Sequence, residues 1–107
     1  MREDEGQNDE GAENAQEEMA GLLASVKDIA TYNLSLYAAQ AWHHLGLVPL
    51  PGTATTAMDL DQARLAIDLY EANMTVLLPH LEKDAERQLK RTLMDLQLNF
   101  VNKSKAK

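Results

Sequence analysis

With 107 residues, no cysteine and a formal net charge of −7, the chain supports one domain and excludes both disulfides and a cysteine-rich structural zinc site. Residues 1–18 hold eight carboxylates and one arginine, whereas residues 19–107 hold nine acids and nine bases, so a neutral body carries an acidic tail that repels anionic partners such as nucleic acid. The opening Met1-Arg2-Glu3-Asp4-Glu5 has no apolar run of the kind a secretory signal needs, and the expected compartment is the cytoplasm.

The composition divides the chain into a tail at 1–18, a helical domain at 19–102 and a basic end at 103–107. The tail is rich in Glu, Asp, Asn, Gln and Gly and has no aromatic or β-branched residue, so its expected state is disordered. The first helix spans about 25–45, with fraying back toward Glu17. It opens where Ser25-x-x-Asp28 approximates a capping box, and it stops at Gly46, which is free to take a left-handed conformation, ahead of Pro49 and Pro51. The second spans about 59–77, opening at Asp59-x-x-Gln62 behind a possible Met58 staple and ending before Pro79. The third spans about 82–102, with Glu82, Asp84 and Glu86 at its start and lysines beyond its end, as the helix dipole favours. No strand or repeat is expected.

Each helix shows more apolar surface than one packed face needs. Leu60, Ala63, Ile67, Tyr70, Met74 and Leu77 form the core stripe of the second helix at 3,4 spacing, while Leu65, Leu69 and Val76 fall on another side. In the third helix Ala85, Leu89, Leu93, Leu96 and Phe100 make the main stripe, and Met94, Leu98 and Val101 a second patch. From Ile29 to Val48 there is no charged residue in twenty positions, which predicts a first helix buried nearly all round. The length would suit a membrane span. Thr31, Asn33, Ser35, Gln40, His43 and His44, and the lack of flanking basic residues, argue against one.

Chemistry is sparse. His43 and His44 diverge by about 100° on a helix and cannot both reach one metal without His80 or a second chain. Two histidines near a helix C-terminus are the simpler reading, with Gln40 and His44 at hydrogen-bonding separation. No nucleophile beside a base, phosphate loop or His-Glu-x-x-His pattern is present, so neither an enzyme nor a cofactor or metal site is expected. Arg87, Lys90 and Arg91 form a basic cluster that Asp84 and Glu86 can pair. Lys103, Lys105 and Lys107 leave a basic end that could touch RNA or an anionic surface. Tyr32, Tyr37 and Trp42 read as core or interface anchors.

The run Ile29-Ala-Thr-Tyr-Asn-Leu-Ser-Leu-Tyr-Ala-Ala-Gln-Ala-Trp-His-His-Leu-Gly46, then Asp59-Leu-Asp-Gln-Ala-Arg-Leu-Ala-Ile-Asp68, then Leu93-Met-Asp-Leu-Gln-Leu-Asn-Phe-Val101 resembles the bacterial family catalogued as domain of unknown function 1844. The resemblance covers about Ser25 to Asn102. It implies a small helical bacterial cytosolic protein and implies no activity, substrate or cofactor. Gln97 stands where that family leads one to expect a basic residue.

The expected protein is therefore an all-α three-helix unit with a disordered tail, completed by self-association, most simply as a homodimer or against another helical protein. Its interface is expected to involve Tyr37, Trp42 and Leu45 of the first helix, Leu65, Leu69 and Val76 of the second, and Met94 and Leu98 of the third. The competing expectations are binding of RNA or an anionic surface through the lysine end, and a metal-dependent enzyme built on His43, His44 and His80.

Overall fold

A computed structural model of the chain describes residues 14–21, 24–49, 52 and 56–106. In order these form a helical stretch at 14–21 (α1), α2 (Val26–His44), α3 (Leu60–Leu77), a 3-10 turn at Leu78–His80 and α4 (Lys83–Ala106). Among the described residues there is no strand, only an isolated antiparallel bridge between Leu45 and Met58. Two compact units are present, Met1–Tyr32 and Asn33–Lys107, with the border inside α2.

In the first unit no described residue is buried, and α1 is exposed along its whole length. Here the structure departs from the sequence reading, which left 1–18 without regular structure and opened the first helix at about Ser25 with fraying back toward Glu17. Ala15, Gln16, Glu17, Glu18, Met19 and Ala20 are all good helix formers, so local propensity sustains a helix that no burial supports. The rest of the expected tail, 1–13, lies outside the described residues. At the start of α2 the expected capping exchange is present: Ser25 Oγ accepts from the Asp28 N–H at 3.1 Å and donates to Asp28 Oδ2 at 3.0 Å.

The second unit holds the core. α2 ends as Gly46 dictates. This glycine has φ +79°, its N–H donates to the His43 carbonyl at 2.9 Å, and the Leu47 N–H donates to the Trp42 carbonyl at 3.2 Å, the paired bonds of a Schellman stop. The connector returns beside its origin. Leu45 bridges Met58, and the Asp59 N–H donates to the His44 carbonyl at 2.8 Å. Asp59 then caps α3, its Oδ1 accepting from the Gln62 N–H at 3.2 Å. Pro79 closes α3 through the 3-10 turn at Leu78–His80. α4 runs four residues past the expected Asn102, because Lys103-Ser-Lys-Ala contains no helix breaker and places positive charge at a helix C-terminus.

α3 packs on α4. The enclosed side chains are Leu34, Ala41 and Leu45, then Ala63, Ala66, Ile67, Tyr70, Met74 and Leu77, then Leu93 and Leu96. The 3,4 stripe expected on α3 is this core face, with Leu60 half-buried at its start. On α4 the stripe is buried at Leu93 and Leu96 and half-buried at Ala85, Leu89 and Phe100. The expectation for α2 fails within this chain: Ile29, Thr31, Ser35, Leu36, Ala39 and Gln40 are exposed. From Ile29 onward its lack of charge comes in part from Ala, Ser, Thr, Asn and Gln, which tolerate water, so an uncharged run is not a wholly buried one. Among the described residues no helix is long and apolar enough to cross a membrane.

Candidate interaction surface

The outer face of α3 follows from its register. At 100° per residue, Leu65, Leu69, Ala72 and Val76 share the side away from Ala63, Ile67, Tyr70 and Met74. All four are exposed, Leu65 at 52% and Val76 at 75%. Asp61 and Asp68 lie in the same sector and are also exposed. Arg64, at the edge of that sector, approaches Asp68 at 3.9 Å in a loose surface pair.

α4 carries the counterpart. Met94 is 67% exposed and Leu98 58%, and Val101 continues their line. The same sector, roughly 100° wide, contains Lys83, Arg87, Lys90, Arg91 and Lys105, all exposed, and no acidic residue. Two of these bases lean on acids at the sector's edges: Arg87 on Asp84 at 2.6 Å and Lys90 on Glu86 at 2.9 Å, the pairing expected from sequence. Such exposed pairs contribute little and exchange readily. The sequence reading found the apolar residues of both faces, and on α4 it did not connect them with the bases alongside, although a helical wheel carries that signal.

Seven of the eight expected interface residues keep some surface. Leu65, Leu69, Val76, Met94 and Leu98 are exposed, and Tyr37 and Trp42 are half-buried. Leu45 is 0% exposed and so presents nothing to a partner. Its place immediately after α2, beside Met58, makes it a core residue of its own chain.

The histidines are separately satisfied. His43, nearly buried, donates from Nδ1 to the Val48 carbonyl at 3.0 Å, because a carbonyl only accepts. His44 Nε2 bonds Gln40 Oε1 at 3.2 Å, as the four-residue spacing suggests. Their rings meet edge to face with centroids 4.9 Å apart, and His80 sits exposed in the 3-10 turn. Among the described residues no group of three or more His, Cys, Asp or Glu side chains is placed to hold a metal ion. At the basic end Lys103 is half-buried and Lys105 exposed, and Lys107 lies outside the described residues.

Among the described residues one titratable group, Tyr70, is displaced from its ordinary range. Burial between α3 and α4 raises the Tyr70 phenol above 10.0, opposed in part by a hydrogen bond with Thr92. Its hydroxyl donates to the Leu89 carbonyl, so it serves packing and is not directed toward solvent.

No curated protein and no solved structure matches this chain. A family model does, the one described as Domain of unknown function (DUF1844), over residues 26–102. That span takes in α2, α3 and nearly all of α4 and omits α1. The chain belongs to the DUF1844 family.

Proposed function

We propose that this chain is a non-enzymatic helical interaction module that self-associates through apolar faces its own fold leaves uncovered. The observation that carries the reading is the exposure of Leu65, Leu69 and Val76 on α3 and of Met94, Leu98 and Val101 on α4. Six large apolar side chains at helical spacing in a unit this small retain a drive toward burial of about 25 cal/mol per Å2. A fold with Ile67, Tyr70, Met74, Leu93 and Leu96 already in its core has no shortage of buried anchors that would force these residues outward.

Sedimentation equilibrium on the full chain across a micromolar concentration series tests this. The expected result is a mass above that of one chain, falling toward it on dilution. A single-chain mass throughout the series removes the proposal.

A further inference from the structure

We infer that the contact between copies is heterologous, with the α3 face of one chain seated on the α4 face of the next. This deepens the self-association proposed above and rests on it. The two faces match in spacing and oppose in charge. Leu65, Leu69, Ala72 and Val76 recur at intervals of four, three and four, and Met94, Leu98 and Val101 recur at four and three, with Lys105 continuing the series. Laid side by side, the two rows interdigitate turn by turn, small Ala72 against a large partner residue. The α3 row is flanked by Asp61 and Asp68, and the α4 row by Lys83, Arg87, Lys90, Arg91 and Lys105, every one exposed. Asp61, Arg91 and Lys105 make no ion pair among the described residues.

Charge decides between the possible pairings. An isologous contact, α3 on α3 or α4 on α4, sets acids against the same acids or five bases against the same five. Like charges brought together at an interface repel, whereas α3 on α4 joins opposite signs around an apolar strip. Direction leads to the same answer. Gln97 Nε2 donates to Glu71 Oε2 at 3.4 Å, which marks one exposed edge of the seam where α3 and α4 meet. From that edge the α3 row lies roughly 130° around its helix and the α4 row about 70° around its own. The rows therefore look in different directions, and a partner covering one leaves the other open to a further copy. Heterologous contacts of this kind close into rings or continue as open chains.

Two variants of the full chain test the pairing: Leu65→Lys with Leu69→Lys, which spoils the α3 face, and Met94→Glu with Leu98→Glu, which spoils the α4 face. Circular dichroism checks that each keeps its helices. Should either lose them, Val76→Lys or Met94→Glu alone, at the most exposed position of the face concerned, replaces it. Each variant by itself is expected at the mass of one chain. Mixed in equal amounts, they should give a complex of at least twice that mass, because each supplies the one face the other lacks. If one variant keeps the wild-type assembly, or if the mixture stays at one chain's mass, the heterologous pairing is overturned. A wild-type protein that is itself monomeric overturns self-association as a whole, so the two failures are told apart.

Discussion

The Tyr70 hydroxyl donates to the Leu89 carbonyl at 3.3 Å, joining α3 to the backbone of α4 from a side chain that is 2% exposed. Tyr70→Phe keeps the ring and its packing and removes the bond. The expected cost is about 1 kcal/mol, seen as a melting temperature roughly 4–8 °C lower for a body of this size. An unchanged melting temperature would show that the hydroxyl contributes nothing net.

The same phenol sets an alkaline limit. Because burial raises its pKa above 10.0, the folded state holds the Tyr70 proton more tightly than the unfolded chain does. That contribution is complete below pH 10.0 and declines as the pH rises through the folded pKa. Urea titrations across this range should show a falling stability in the wild type and a shallower fall in Tyr70→Phe. Equal slopes would separate the phenol from the effect.

Gly46 tests the stop of α2. A Cβ there would meet Met58 Cβ at 3.5 Å, an ordinary contact, so space is not the obstacle. The left-handed backbone is. Gly46→Ala is expected to cost about 1 kcal/mol through φ alone, and Gly46→Asn, which tolerates that region, less. Denaturant midpoints of the pair measure this, and identical values would refute the assignment.

Asp59 makes a parallel case at the start of α3. Asp59→Ala removes the acceptor for the Gln62 N–H and should lower stability by about 1 kcal/mol, while Asp59→Ser restores most of it. Lack of rescue by serine would point to a contribution other than capping.

Neighbouring leucines on α4 give the sharpest contrast. Leu96 is 0% exposed and Leu98 is 58% exposed. Leu96→Ala should cost roughly 2–5 kcal/mol by leaving a cavity, whereas Leu98→Ala should hold single-chain stability within about 0.5 kcal/mol and instead reduce the assembled mass. Comparable losses of stability from both, at a concentration where the chain is dissociated, would contradict the burial pattern.

Most of the fold was legible because its signals are local. Gly46, Asp59 and Pro79 each act through the backbone of their own turn, and the structure places helix ends where these residues require. The α3 stripe from Ala63 to Leu77 was equally plain, since its 3,4 repeat is the longest unbroken apolar row on that helix. The outer residues Leu65, Leu69, Val76, Met94 and Leu98 were found by the same geometry. Three features differ from the sequence reading. α1 depends on propensity with no apolar stripe to announce it, and the open face of α2 shows that absence of charge does not measure hydrophobicity. Leu45 was assigned to a surface because it follows Trp42 and Tyr37 in a charge-free run. Its enclosure depends on the chain turning back at Met58, a nonlocal event that no spacing encodes.

That return has a practical consequence. With Leu45 bridged to Met58 and the Asp59 N–H bound to the His44 carbonyl, the segment between them is tied off at its base, and α3 takes its starting position from the knot and not from the length of chain above it. Doubling the number of residues in such a closed segment costs only about 0.6 kcal/mol. Gly52, exposed within that segment, is accordingly the place to graft an epitope or a fluorophore-bearing peptide, leaving the helices, and the faces they offer, as they are.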